Sequence, residues 1–242
     1  MDRMIYLTMT GAKAAMQRQE VISHNLANVS TTGFREQLAA FRAVPVRGDG
    51  ASTRVYALET TVGYNDAQGP ITATGRNLDV AMKGNAWMAV QGLDGTEAYT
   101  RAGALDVDAQ GQLVTLSGLP VVGESGPITV PEGADVQIAS DGTLSAKTAG
   151  QPPQQIGKIK LVTPESALTR GEDGLFRGGN GDLDADPAAR LQDGALEGSN
   201  VSPVQTMVAM ISAARQYDDQ MKLLQTSEKQ DQAASRLLST SG

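Results

Sequence analysis

Asp106-Val107-Asp108-Ala109-Gln110-Gly111 places two carboxylates two residues apart ahead of a glycine, the opening of a calcium-binding loop. That loop closes on a bidentate carboxylate at its last position, and Ser117 stands there instead. The same two aspartates could in principle share general acid and base work, the pattern of a hydrolase. Carboxylates this close in a turn are normally solvated, and no substrate cleft can be read beside them. Gly178-Gly179-Asn180-Gly181-Asp182-Leu183 resembles one calcium-binding nonapeptide, but the required aspartate falls on Leu183 and the architecture needs stacked copies. His24 is the single histidine, flanked by Ser23 and Asn25, with no motif-placed partner for a triad or a metal. No phosphate-binding glycine loop, zinc spacing or serine nucleophile elbow occurs. The chain reads as a non-enzyme with no cofactor and no metal site.

Composition narrows the field further. The chain has no cysteine, which removes disulfides, thiolate metal sites and cysteine nucleophiles together. A net charge of −7 argues against general nucleic-acid binding, because phosphate contacts need surplus Lys and Arg. At 242 residues a sizeable core is possible, but aromatics are only 4%, so that core must be Val, Ile, Leu, Ala and Met. The opening Met1-Asp2-Arg3-Met4-Ile5-Tyr6 lacks a cleavable signal pattern, and no window reaches the ~20 apolar residues of a membrane span.

The residues that position everything else lie at the two ends. From Met1 to about Val29 the sequence has helical periodicity. Ile5, Ala12, Ala15, Ile22, Leu26 and Val29 recur at spacings of three, four and seven, with Thr8 and Gln19 in the gaps. Lys13, Gln17, Arg18 and Glu20 take the opposite face. Such a helix is roughly 40 Å long and stops at Ser30-Thr31-Thr32-Gly33. From Val201 to about Leu238 a second long helix follows, with Pro203 suited to its first turn. Met207, Met210, Ala214, Tyr217, Met221, Leu224 and Leu238 keep one heptad phase there, which Glu228, Asp231 and Ser235 weaken towards the end.

The middle is different in kind. Phe34 to Phe41 reads as another helical turn or two, ended by Pro45, Gly48 and Gly50. Val55 to Thr74 reads as linker with one or two strands. From Leu78 onward short alternating runs are punctuated by glycine turns, with Asp141-Gly142 as a hairpin turn and Ile156 to Val162 as a strand. Gly171 to Pro187 reads as a surface loop. No helix is available for parallel crossovers. The expected fold is α+β: long amphipathic N- and C-terminal helices forming a coiled-coil-like layer, with a central all-β domain of barrel or sandwich type. The boundaries are 1–35 for the first helix, 36–76 for a partly extended connector, 77–195 for the β-rich outer domain and 196–242 for the last helix.

Ser23-His24-Asn25-Leu26-Ala27-Asn28-Val29-Ser30-Thr31-Thr32-Gly33-Phe34-Arg35 resembles the N-terminal signature of bacterial flagellar rod and hook proteins. The amides of Asn25 and Asn28 can lock a helix end or a neighbour's backbone through paired hydrogen bonds. Gly33 then turns the chain and Phe34 anchors it. Leu196-Glu197-Gly198-Ser199-Asn200-Val201 resembles the element before the family's C-terminal helix, and Ala214-Arg215-Gln216-Tyr217-Asp218 with Lys222 the motif within it. Asn77-Leu78-Asp79-Val80-Ala81, Tyr99-Thr100-Arg101-Ala102-Gly103 and Gly118-Leu119-Pro120-Val121-Val122-Gly123 extend the likeness through the centre. The opening residues and Leu38 to Val46 resemble the proximal-rod members more than the distal-rod ones. Two departures stand out: Asn85-Ala86-Trp87-Met88 replaces a Gly-Phe-Phe-type strand, and His24 sits where a small polar residue is common.

The resemblance implies a structural subunit of the basal-body rod, exported without a cleaved signal peptide to a rod that crosses the periplasm. It implies helical polymerisation through the terminal helices to transmit torque. It implies partners among the proximal and distal rod subunits, other axial proteins and copies of itself, with no nucleic acid and no membrane insertion. The implied assembly interface is Ile5, Ala12, Ala15, Ile22, Asn25, Leu26, Asn28, Val29, Gly33 and Phe34 at one end, and Asn200, Val201, Met207, Met210, Ala214, Tyr217, Met221 and Leu224 at the other. On that reading the ends of a lone subunit order fully only on assembly. The rival reading is a β-rich secreted binding or adhesin-like module with oligomerising helical termini.

Overall fold

A computed structural model describes residues 2–45, 55–148, 150–179 and 181–239. Side chains are described throughout these except at 2–7, 41, 43, 55–62, 231 and 234–239. The breaks expected at Gly48 and Gly50 and the loop residue Asn180 lie outside the described residues, as do the side chains of Ile5, Asp231, Ser235 and Leu238. The chain is α+β, with one long helix near each end and many short strands between them. It divides into two compact units. Residues 1–29, 36–65 and 201–242 form the first, and residues 30–35 and 66–200 the second.

The first unit holds helix α1 (Asp2–Ala27), strands β1 (Gln37–Pro45) and β2 (Val55–Tyr64), and helix α2 (Pro203–Ser239). The expected helical turns after Phe34 are instead the strand β1. It pairs antiparallel with β2 from Gln37↔Tyr64 to Pro45↔Val55, with a register shift between Ala40 and Phe41. A partner strand satisfies every second backbone group here, and that ladder outweighs the helix propensity of Leu38, Ala39 and Ala40.

On the two helices the fully buried side chains are small or polar. Thr8, Ala15 and Asn25 are buried on α1, and Thr206, Ala213 and Ser227 on α2. The last three fall seven and fourteen residues apart, with Met210, Tyr217 and Leu224 half-buried between them. The helices approach closely in this unit: a Cβ added to Gly11 would lie 2.8 Å from Oε1 of Gln220. The buried hydroxyls satisfy themselves locally, with Thr206 donating to the Ser202 carbonyl at 2.7 Å and Ser227 to the Leu223 carbonyl at 2.9 Å.

The second unit is built of short strands. β3 is Ile71–Ala73, β4 Val80–Met82, β5 Trp87–Gln91, β6 Glu97–Thr100, β7 Leu105–Val107 and β8 Leu113–Thr115. β9 is Val122–Gly123, β10 Gly126–Pro127, β11 Asp135–Ile138, β12 Thr143–Lys147 and β13 Gln154–Lys158. β14 is Leu161–Val162, β15 Thr169–Arg170, β16 Phe176–Arg177, β17 Leu191–Asp193 and β18 Ala195–Glu197. The largest sheet runs β14-β5-β6-β16-β15, a second runs β11-β12-β13, and the rest are two-stranded ribbons. Among the described residues none closes into a barrel, so that expectation is corrected. Strands of two to five residues cut by glycine turns leave open edges at β11, β13, β14 and β15, and a barrel needs each strand paired on both sides. The core is mainly aliphatic and thioether, with the few aromatics Trp87, Tyr99 and Phe176 also buried. Met82, Met88, Val90, Leu105, Leu113, Val121, Leu144 and Leu191 are fully buried.

Asp108 shows what the calcium-like run does. Its Oδ1 accepts from the Gln110 amide at 2.9 Å and the Gln112 amide at 2.7 Å, which closes the β7–β8 turn. Asp141 closes the β11–β12 hairpin in the same way, accepting from the Thr143 amide at 3.1 Å while Gly142 takes φ +86°.

Tyr99 is fully buried. Its hydroxyl donates to Glu97 Oε1 at 2.8 Å and accepts from the Leu183 amide at 2.6 Å. Burial, with Glu97 beside it, raises its pKa above the ordinary phenol value of 10.0. The folded phenol therefore keeps its proton after the unfolded one has lost it. Its share of stability is complete below pH 10.0 and falls as pH rises further, by about 1.4 kcal/mol per pH unit until the folded form also ionises. Urea unfolding from about pH 9 to about pH 11.5 should show this slope. Tyr99→Phe should remove its share; an unchanged slope in that variant would refute the assignment.

Candidate assembly interface

One charged residue from each of the N-terminal, central and C-terminal motifs meets the others in the second unit. Arg35 donates from Nη1 to Glu197 Oε1 at 2.5 Å, and Arg101 donates from Nε to Glu197 Oε2 at 2.8 Å. All three side chains are at most 1% exposed. The Gly69 amide adds a third donor to Glu197 Oε1 at 3.0 Å. Arg101 also donates to the carbonyls of Met82, Gly84 and Ala86, each at 2.9 Å. Burial lowers the Arg101 pKa from its ordinary value; the Glu197 carboxylate opposes that shift and Arg35 adds to it. Both guanidinium groups lie over Trp87, 5.7 Å from the ring centroid for Arg101 and 6.0 Å for Arg35. Trp87 itself packs on Phe176 with centroids 4.7 Å apart, so the departure at Asn85–Met88 supplies the floor of this cluster.

The backbone around Glu197 is equally close. Gly33 has φ +69°, and a Cβ there would stand 2.2 Å from the Arg101 carbonyl carbon, so no other residue fits. Its amide donates to the Glu197 carbonyl at 2.8 Å, and the Asn200 amide donates to the Phe34 carbonyl at 3.3 Å. Phe34 is buried beneath Arg170, whose Cζ is 4.7 Å from the ring centroid. Gly33, Phe34 and Asn200, named above as assembly residues, therefore lie in a packed site of their own unit. The sequence motifs contained these charges, but no role followed from them. The available signal was three charged residues each set in an apolar or glycine-rich run.

In the first unit the signature amides act locally. Asn25 donates from Nδ2 to the Gln37 carbonyl at 2.9 Å and accepts from the Gln37 amide at 2.8 Å, so one side chain mimics a strand neighbour for β1. Asn28 donates from Nδ2 to the His24 carbonyl at 2.8 Å and closes the end of α1. His24 is exposed. Ala12, Ile22, Leu26 and Val29 are half-buried and Ala15 is buried. On α2, Met210, Ala214, Tyr217, Met221 and Leu224 are half-buried, while Met207 is 52% exposed. Val201, where the second helix leaves, is buried.

A set of large apolar side chains on these helices stays in solvent within the single chain. Met9 and Met16 are exposed on α1, and Val204, Met207, Val208, Ile211 and Leu223 on α2. Val204, Val208 and Ile211 lie at helical spacing outside the heptad phase, which is why the phase did not reveal them. A groove of about 510 Å³ runs beside Met16, Gln19, Glu20, Ser23 and Tyr217. Among the described residues no helix is long and apolar enough to cross a membrane.

Two long helices that pair within one unit while leaving large apolar side chains in solvent, joined in the chain to a β-rich unit, are the form of an assembly subunit. Residues 5–35 match the family model for the flagella basal body rod protein. Residues 81–146 match the FlgE/F/G D1 domain of the flagellar hook protein, and residues 192–237 the C-terminal model of the basal body rod FlgEFG proteins. Flagellar basal-body rod protein FlgF of Salmonella typhimurium is 45% identical over 252 residues, covering all of both chains. FlgF of Escherichia coli K12 is 45% identical over the same span, again across both whole chains. FlgG of Caulobacter vibrioides is 33% identical over 257 residues, covering 95% of this chain and 97% of its own. The chain belongs to the flagellar basal-body rod protein family and is a structural subunit of the basal-body rod. The relatives are structural rod proteins, and the rival secreted-module reading is set aside.

Proposed function

We propose that this subunit polymerises helically through α1 and α2, with copies of itself and with other axial subunits, in the proximal part of the rod. Residues 1–35 and 196–242 supply the inner coiled-coil-like layer, 36–76 the connector, and 77–195 the outer domain. The observation that carries the reading is the outward apolar set on the terminal helices. Their mutual seam uses Thr8, Ala15, Thr206, Ala213 and Ser227, while Met9, Met16, Met207, Val208 and Ile211 remain in water. Covering one large apolar side chain stabilises by about 1.5–3 kcal/mol before ordering costs. A thin, small-residue seam leaves the helices to be ordered fully by neighbours. One repeated heterologous contact then grows into a helical shaft rather than a closed dimer. The shaft transmits torque across the periplasm.

Deleting residues 203–242 tests this. The truncated chain is expected to be missing from purified basal bodies, while its Trp87 fluorescence keeps the blue-shifted emission of a folded second unit. Incorporation of the truncated chain would end the proposal.

A further inference from the structure

The chain passes between its two units at four places: after residues 29, 35, 65 and 200. On the side of the second unit, each passage runs straight into the Glu197 cluster. The segment entering at Ser30 reaches Gly33, whose amide holds the Glu197 carbonyl at 2.8 Å. The segment leaving at Arg35 is held by its own guanidinium on Glu197 Oε1. The segment entering at Asp66 is held twice, by the Gly69 amide on Glu197 Oε1 at 3.0 Å and by Asn200 Nδ2 on the Ala67 carbonyl at 2.8 Å. The segment leaving at Asn200 is held by its amide on the Phe34 carbonyl at 3.3 Å. Arg101 then ties the carboxylate inward to three carbonyls between β4 and β5.

We propose that the Glu197 cluster is the mechanical joint of the second unit: the carboxylate holds the passages at Arg35 and Asp66, the Glu197 backbone carbonyl holds the passage at Ser30, and the adjoining Asn200 bonds hold the fourth, so that force passes between them and the β core through one residue and its neighbours. This rests on the rod reading for its biological use, but the joint itself is a property of the single chain. Three features suit the role. The bonds meet at one residue and its neighbours, so a load on one passage is passed to the others. Two of them are charge-assisted, the stronger kind of hydrogen bond. The side chains of Arg35, Arg101 and Glu197 are at most 1% exposed, so water cannot replace a stretched bond. The backbones are also interlocked, since a Cβ on Gly69 would lie 2.1 Å from the Gly198 carbonyl oxygen. An ordinary core residue stabilises the fold without lying on the path between these passages.

The absence of cysteine makes the test direct. Ser30→Cys and Asp66→Cys place handles at two exposed passage residues of the full-length chain, for single-molecule pulling. The first rupture through these handles is expected at a higher force than unzipping of the β11–β12 hairpin through Glu132→Cys and Gln151→Cys. Glu197→Gln is expected to shorten the lifetime at fixed force by about a hundredfold to a thousandfold, the factor implied by removing one partner of a buried ion pair. Leu144→Ala, a core cavity with no link to the passages, is expected to leave that first rupture in place while lowering urea stability. Equal effects of the two variants would reduce Glu197 to a fold-stabilising residue and overturn the joint. If Glu197→Gln does not fold, the wild-type comparison decides alone: a rupture no stronger than the hairpin's overturns it. A joint that passes in a chain missing from the rod would instead fault the assembly reading.

Discussion

Arg101→Ala is expected to destabilise the second unit by about 3–5 kcal/mol, the cost of breaking a buried ion pair by removing one partner. Against the ~5–15 kcal/mol that holds a typical domain together, this is severe. Three losses coincide at this position. Glu197 Oε2 loses its donor at 2.8 Å inside a site with no exposure. The carbonyls of Met82, Gly84 and Ala86 lose theirs at once, and each unsatisfied buried group has its own desolvation cost. Trp87 loses the cation above its ring. Arg101→Lys should recover little, because a point charge cannot reproduce a fork reaching four acceptors. Urea titration followed by the fluorescence of Trp87, the single tryptophan, measures the effect directly. A loss below about 1 kcal/mol would mean that the cluster is solvated and relaxed, contrary to its burial.

The double substitution Met207→Asp with Ile211→Asp is expected to have the largest effect on the cell and a small one on the isolated chain. Both residues are more than half exposed and lie one helical turn apart on α2. Surface changes of this kind usually move folding stability by no more than about 0.5 kcal/mol each. Assembly is different, because each new carboxylate would be pressed against a neighbour's apolar side chain without a partner, and burying an unpaired charge costs several kcal/mol. The expected result is a normal unfolding curve, no variant protein in purified basal bodies and no swimming. Normal incorporation would show that this face of α2 is not covered in the rod. A similar pair of changes at Lys222 and Glu228, exposed polar positions on the same helix, should leave swimming intact.

These two results separate what each half of the chain does. The second unit is held by interior chemistry that a single molecule completes. The first unit buries small residues on its helices and leaves Met9, Met16, Met207, Val208 and Ile211 in solvent. Gly11 against Gln220 shows the same economy: the helices come close enough that a methyl group would meet a side-chain amide at 2.8 Å.

Much of this was legible without coordinates. Helical periodicity placed α1 and α2 to within a few residues, because an amphipathic repeat over many turns has only one regular solution. Asp141-Gly142 announced its hairpin, since the φ +86° that Gly142 adopts is one that few residues tolerate. The motif around Asn25 and Asn28 named amides that do lock backbone. Three things were decided only in space. Leu38 to Phe41 became a strand because β2 arrived beside it, from residues far along the chain. The most buried positions of α2 are Thr206, Ala213 and Ser227, interleaved with the half-buried Met210, Tyr217 and Leu224. Arg35, Arg101 and Glu197, separated by up to 162 positions, became one buried site only when the sheets brought them within hydrogen-bond reach. Local pattern encodes the period of each element; it carries no record of which charge will find which across so long a loop.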